Sequence, residues 1–177
     1  MTDKTKAEEL LKQEKERLFT YQEVRAMTEA ALKERARYIG CFYKVMPKEM
    51  FDQYAREAMK EYGIFRVTMG QYKGEPGDHA AFAQMLAANV VNNTNSDIHF
   101  IAKADEEQTV VRLTGKCGLV EGWIDMGFTP EEVDYLCEVV CEADYAYTDR
   151  LGLNARFVCT NAQPDSHCCD MVVKKKA

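Results

Sequence analysis

One acidic residue, Asp144, interrupts the apolar face of a helix predicted to begin at Pro130. The residues that share this face are Val133, Cys137, Val140, Asp144 and Tyr147. A carboxylate on a core-facing stripe is unfavourable unless it is paired, hydrogen-bonded or exposed to a cavity. Two interpretations stay open: a structural pairing, with a buried arginine such as Arg112 or Arg156 or with backbone N–H groups, or a role in ligand binding or catalysis.

Two cysteines lie on the same face as this carboxylate. Cys137, Cys141 and Asp144 have the spacing i, i+4, i+7, which can place three metal ligands along one helix. Cysteine is also among the residue types most often buried, where it packs as a small apolar group. We favour the packing role, and the absence of any C-x-x-C pair from the sequence argues against a zinc knuckle.

Cys117 is the best nucleophile candidate by position. It follows a predicted strand and precedes a short predicted helix, next to Lys116. A thiol at a helix N-terminus beside a cation has a stabilised thiolate form. The alternative is a turn cysteine that only fills space.

Two further thiols, Cys168 and Cys169, begin the last predicted strand. Adjacent strand residues face opposite sides of a sheet, so only one of the two can share a pocket with Cys117. His167 precedes them and could act as a base. His99 alternates with Ile98 and Phe100 and is expected on the face opposite theirs, as a weaker candidate.

The helices that must position these groups are readable from periodicity and caps. Residues 4–37 contain no Gly or Pro and predict one long helix or two with a kink. A second helix is predicted from Pro47 to Gly63, and a third from His79, capped by Asp78, to about Asn93. A short helix is expected over residues 119–126, and Thr129, Pro130 and Glu132 predict the start of the last one.

Four strands are predicted: residues 98–102 and 109–113, joined by the acidic turn at 105–107, then 155–159 and 168–173. The sequence therefore predicts an α+β fold, with N-terminal helices packed on a small antiparallel sheet of about four strands. We expect a helical arm over residues 1–44 and one globular unit over 45–177. The arm either packs across the domain or pairs with a second copy to form a homo-oligomer.

Composition excludes some partners. The chain has 177 residues, a net charge of −6 and a pI near 5.2, so it lacks the basic footprint of a nucleic-acid-binding protein. Its longest apolar stretch is too short to span a bilayer, and no targeting segment is visible. Seven cysteines without a regular framework predict reduced thiols in a cytoplasmic protein.

Three features in this order resemble the L-2-amino-thiazoline-4-carboxylic acid hydrolase family. The first is the strand from Val110 that ends at Cys117, followed by a short helix with Glu121 and then Gly127. The second is the helix segment 136–146, which contains Asp144 and leads to Gly152. The third is the terminal strand 169–173. The resemblance covers about residues 45–173.

The resemblance implies hydrolysis of the 2-amino-thiazoline-4-carboxylate ring to N-carbamoyl-cysteine, with essential thiols. It carries over three catalytic positions, Cys117, Asp144 and Cys169. Either the Cys117 thiolate attacks the ring carbon or Asp144 activates a water to do so. Candidate substrate-binding residues are Arg112 and Arg156, which could hold the carboxylate, together with Glu121 and His167.

The main alternative function is a non-catalytic module that senses a small molecule or a soft metal. A third interpretation is a metalloprotein with Cys137, Cys141 and Asp144 as ligands. No cofactor is evident from the sequence, which leaves assistance by a divalent metal open. The hydrolase interpretation requires Cys117, Asp144 and one thiol of the 168–169 pair to line a common cavity.

Overall fold

The computed structural model describes residues 18–88, 97–115, 117–158 and 168–176. These ranges contain five helices and four strands, which confirms the α+β class. The helices are α1 (Tyr21–Val45), α2 (Lys48–Thr68), α3 (His79–Ala88), α4 (Gly118–Asp125) and α5 (Pro130–Arg150). The strands are β1 (Asp97–Ala104), β2 (Gln108–Gly115), β3 (Leu153–Phe157) and β4 (Cys168–Lys175).

The sheet has the strand order β1-β2-β4-β3, and all neighbouring strands are antiparallel. In one row of the sheet, His99 pairs with Leu113, and Leu113 pairs with Cys169. Because residues in a row point to the same side of a sheet, these three side chains share one face. β3 begins two residues earlier than the predicted start at Ala155, directly after Gly152.

Helix starts follow the predicted caps. Thr129 and Glu132 form a reciprocal capping box ahead of Pro130. Asp78 Oδ1 accepts a hydrogen bond of 2.9 Å from the backbone N–H of Ala81, in the first turn of α3. The described part of α3 ends at Ala88, so the predicted extension to Asn93 lies outside the described residues.

The prediction that Gly63 ends the second helix is wrong. α2 continues through Gly63 to Thr68, and Gly63 instead marks the point where α2 crosses α5. A Cβ atom at Gly63 would lie 2.1 Å from the carbonyl oxygen of Ala143, so any side chain there would force the two backbones apart. Glycine is required at this crossing because the two backbones approach so closely.

Two cores hold the layers together. The first joins α1, α2, α4 and α5 around Trp123, whose Nε1 donates a hydrogen bond of 2.8 Å to the carbonyl oxygen of Ala36. The second lies between the sheet and the helices α3 and α5, around Phe82, Tyr147 and Val111. α1 therefore packs against the rest of the chain through its Ala36 face, whereas pairing with a second copy stays a prediction.

Glycines also bring α4 onto α1. A Cβ atom at Gly122 would lie 2.7 Å from the Cβ of Ala36, and one at Gly118 would lie 2.8 Å from the Cβ of Leu32. The N-terminal end of α4, which follows Cys117, is thereby held close to α1. Within the described ranges, no helix combines the length and the apolar character needed to cross a membrane.

Candidate active site

The buried face of α5 is rotated slightly from its predicted position. The fully or nearly fully buried residues of this helix are Val133, Leu136, Val139, Ala143, Tyr147 and Thr148. Cys137, Cys141 and Asp144 are half-buried, along the flank of that face. These three groups therefore lie where the surface of the helix leaves the core, and of the three only Asp144 lines the cavity described below.

Four thiols from three parts of the chain meet at this flank. Cys117 precedes α4, Cys137 and Cys141 are on α5, and Cys169 is on β4; we refer to them as the thiol cluster. All four are half-buried thiols that take part in no disulfide within the described residues. Burial raises the pKa of the Cys137 and Cys141 thiols far above the ordinary value, and the electrostatic influence of Cys117 and Cys169 raises both further. Cys137 and Cys141 are consequently protonated at neutral pH.

The two candidate catalytic cysteines occupy different kinds of position in this cluster. Cys117 is the N-cap residue of α4, and its carbonyl oxygen accepts a hydrogen bond of 3.0 Å from the N–H of Glu121. Cys169 lies in the register row of Leu113 and His99. The side chain of Cys168 lies outside the described residues, and Cys169 is close enough to Cys141 to influence its thiol. Which of the two adjacent thiols faces a bound ligand stays a prediction.

Asp144 forms an ion pair with Arg66 of α2, at 2.5 Å between Nη1 and Oδ1. An ion pair with an arginine was one of the predicted possibilities and is confirmed, although the partner is Arg66 and neither Arg112 nor Arg156, which were given as examples. The guanidinium of Arg66 also lies 4.5 Å from the ring centroid of Tyr147, which is buried. Arg66 is 19% exposed and Asp144 34% exposed, so the pair is shielded but reachable from solvent.

A cavity of about 330 Å³ opens beside this ion pair. All five helices or their adjoining turns contribute to its wall. The lining residues are Arg35, Tyr62, Arg66, Gln71, Met85, Leu86, Leu119, Val140, Ala143 and Asp144. The wall combines apolar side chains with several polar and charged ones, and convergent polar groups in a concave site are typical of small-molecule binding.

The cavity and the thiol cluster are neighbours rather than one space. None of the four clustered cysteines is among the lining residues, whereas Asp144 is. Leu119 and Val140 line the cavity and also pack in the first core, together with Cys117 and Cys137. Cys141 connects the two regions, because its thiol is influenced by Asp144 as well as by the other three cysteines.

His99 is closer to the site than its weak ranking in the sequence suggested. Burial lowers the pKa of His99 to about 4, and the neighbouring Asp144 carboxylate only partly offsets this. The imidazole is therefore neutral at pH 7 and lies near the Asp144 carboxylate. The sequence indicated this position through the alternation of His99 with Ile98 and Phe100, which places His99 on the opposite face of the strand. In the structure that face also carries Leu113 and Cys169.

The remaining predicted substrate-binding residues are not brought to the cavity wall. Arg112 precedes Leu113 in β2 and therefore points to the other face of the sheet, where Nε and Nη2 bind Asp170 at 2.7 and 2.6 Å. Arg156 is exposed, opposite Val172. Glu121 is half-buried in the first turn of α4, and His167 lies outside the described residues.

Metal ligation was the third interpretation of Cys137, Cys141 and Asp144. Within the part of the chain that the structure describes, no three His, Cys, Asp or Glu side chains are grouped in a way that could hold a metal ion. The i, i+4, i+7 spacing places the three groups along one flank of α5, where Asp144 binds Arg66 instead.

The fold and this site define an α+β protein with a ligand-sized cavity between helices and a group of thiols beside it. The sequence model of the L-2-amino-thiazoline-4-carboxylic acid hydrolase family matches residues 25–172, and the chain belongs to this family. The match begins within α1, earlier than the resemblance at about residue 45. A search among curated proteins finds no matching sequence.

Proposed function

We propose that this protein is a hydrolase that opens a small heterocyclic ring, a cyclic amidine or imide such as 2-amino-thiazoline-4-carboxylate, through an active-site thiol. The observation that carries the proposal is the position of Asp144. Its side chain lines the cavity, and it lies one helical turn after Cys141. Cys141 is close enough to Cys117 and Cys169 for both to raise the pKa of its thiol. Family membership supports a hydrolytic reaction.

Cys117 is the proposed nucleophile. Of the thiol cluster, Cys137 and Cys141 are held in the protonated form by burial and are poor nucleophiles. Cys117 precedes the first turn of α4, where the unpaired N–H groups and the helix dipole favour a thiolate. Leu119, two residues further along, already lines the cavity.

The reaction would proceed through a covalent adduct. The Cys117 thiolate adds to the ring carbon that is bonded to both nitrogen and sulfur. The ring carbon–sulfur bond then breaks, and the departing sulfur takes up a proton, leaving an S-linked isothiourea on the enzyme. Water attacks the same carbon and gives up a proton, the bond to Cys117 breaks, and N-carbamoyl-cysteine leaves with a new free thiol.

Asp144 is the proposed base for the water in the second step, and Arg66 orients it. The ion pair fixes the carboxylate, because one of its oxygens accepts a charge-assisted hydrogen bond of 2.5 Å from Nη1 of Arg66. The other oxygen is available to a water molecule in the cavity. The proton that Asp144 accepts balances the one taken up by the ring sulfur.

The test is turnover of 2-amino-thiazoline-4-carboxylate by purified protein, followed by colorimetric detection of the released thiol. We expect Cys117→Ser to lower the rate roughly 10³-fold or more while the thermal midpoint is retained. Cys169→Ser should give a smaller loss. Cys41→Ser is the matched control, because Cys41 is an exposed thiol of α1.

Two outcomes would contradict the proposal. Full activity in both Cys117→Ser and Cys169→Ser would exclude the thiol route. Binding of the heterocycle by wild-type protein without any new thiol would identify a binding module instead of an enzyme. Mass spectrometry of the protein during turnover should detect the adduct on the peptide that contains Cys117 and not on the Cys117→Ser variant.

A further inference from the structure

The cavity contains a cation that has no counter-charge within the described chain. Arg35 on α1 lines the cavity, and among the described residues its guanidinium has no carboxylate partner. Its neighbour there is the ring of Tyr62, with 5.9 Å from the guanidinium carbon to the ring centroid. Arg66 differs, since its charge is already compensated by Asp144.

The charges around the cavity therefore do not cancel. Arg35 and Arg66 contribute two positive charges and Asp144 one negative charge. A partly enclosed site with one uncompensated cation favours an occupant that brings an anionic group. The rest of the wall is largely apolar, with Met85, Leu86 and Leu119, so the occupant also needs a compact organic body.

We propose that Arg35 is the residue that selects substrates carrying a carboxylate, by binding that carboxylate with its two-pronged guanidinium. This deepens the proposed function, on which it rests, because it assigns the specificity of the same cavity. The planar guanidinium matches a carboxylate through two parallel hydrogen bonds, which an ammonium group cannot reproduce. Arg112 and Arg156 do not line the cavity.

α1 is held in place for this role. Arg35 directly precedes Ala36, which is fully buried and accepts the hydrogen bond of Trp123. Gly122, the neighbour of Trp123 in α4, packs against the side chain of the same alanine. The backbone that presents Arg35 is thereby fixed, so that binding does not require the helix to become ordered first.

The test compares one heterocycle with and without its carboxylate. The turnover probes are 2-amino-thiazoline-4-carboxylate and 2-amino-thiazoline, and the binding probes, which lack the reactive amidine, are thiazolidine-4-carboxylate and thiazolidine. We expect wild-type protein to bind each acid at least about 10-fold better than its analogue without the carboxylate. Arg35→Met should abolish this preference, and Arg35→Lys should retain only part of it.

The kinetic signature separates this role from a structural one. Arg35→Met should raise KM for the carboxylate substrate about 10-fold or more, with little change in kcat and no change in the thermal midpoint. Arg37→Met is the matched control: it removes the same charge from the same helix, but Arg37 pairs with Glu34 and does not line the cavity. Its kinetic constants should equal those of wild type.

Several results would overturn the assignment. These are an unchanged carboxylate preference in Arg35→Met, absence of binding by any of the four probes, and competition by inorganic phosphate as strong as that by thiazolidine-4-carboxylate. The two proposals fail separately. Turnover without carboxylate preference removes the role of Arg35 alone, whereas Arg35-dependent binding of the acid without turnover removes the hydrolase alone.

Discussion

The helices α2 and α5 are joined by two sets of ion pairs, one on each side of the crossing at Gly63. The two sets differ in how many of their hydrogen-bonding groups are paired within the protein. On one side, Arg56 binds Asp52 at 2.9 Å and Glu142 at 3.1 Å, and the hydroxyl of Tyr135 donates to Asp52 at 2.8 Å. On the other side, Arg66 binds Asp144 alone, beside the cavity.

The Arg56 set is internally satisfied. Hydrogen bonds from Arg56 and Tyr135 lower the pKa of the Asp52 carboxyl, while burial together with Asp52 raises the pKa of the Tyr135 hydroxyl to about 12. The groove beside it is larger, about 580 Å³, yet Lys48 lies over the ring of Tyr43 there. The larger groove therefore lies beside polar groups that are already paired, and we base the proposed site on the smaller cavity because its polar groups retain hydrogen-bonding capacity.

The largest expected effect on activity comes from replacing one aspartate by asparagine on each side of the α2–α5 crossing. Asp144→Asn should lower ring-opening activity by about 10²- to 10⁴-fold, because the proposed base is lost while the shape is preserved. Asp52→Asn makes the same chemical change in the Arg56 set and should leave kcat within about 2-fold. Steady-state kinetics would check both, and an equal loss in the two variants would contradict the distinction.

Breaking the crossing itself should affect both sides. Gly63→Ala places a Cβ atom against the carbonyl oxygen of Ala143, so we expect a loss of about 1–3 kcal/mol in the free energy of unfolding and a parallel loss of activity. Denaturant unfolding would measure it. Glu61→Ala, on the exposed surface of the same helix, should stay within about 0.5 kcal/mol of wild type. A fully stable Gly63→Ala protein would show that the helices can separate at little cost.

A smaller effect concerns His99, which lies near Asp144 and should make the free energy of unfolding depend on pH. The pKa of His99 is about 4 in the folded protein and near 6.5 when unfolded, so the unfolded chain binds more protons between these values. Stability from the neutral imidazole is complete above pH 6.5 and is lost as the pH falls towards 4. His99→Gln should reduce this slope by at most about 1.4 kcal/mol per pH unit in urea titrations. An unchanged slope would place His99 in solvent.

The sequence predicted most of the local structure, since local structure depends on neighbours in the chain. Thr129 and Pro130 marked a helix start that the structure confirms, and Asp144 was recognised from its position on an apolar face. The order of the motifs also identified Cys117 and Cys169 as candidates, and both belong to the thiol cluster. Whether they take part in catalysis stays a prediction.

The long-range partners could not be predicted in this way. Arg66 is 78 residues from Asp144, and nothing in its own surroundings in the sequence distinguishes it from other helix-surface arginines. Gly63 misled the helix prediction because a missing Cβ atom serves equally well to end a helix and to let another helix approach. Arg35 was missed because it lies on α1, which was treated as an arm outside the globular unit.

The position of the helix crossing has a mechanical consequence. At about 1.5 Å per residue, Arg66 lies only ~4.5 Å along α2 from Gly63, whereas Arg56 lies ~10 Å away on the other side. Ala143 is the contact on α5, and Asp144 is the next residue. If the two helices rock by 5° about their contact at Gly63, the displacement at Arg66 is ~0.4 Å, about half the displacement at Arg56. The Arg66–Asp144 pair therefore lies close to the pivot, where a rocking motion displaces side chains less than it does at Arg56.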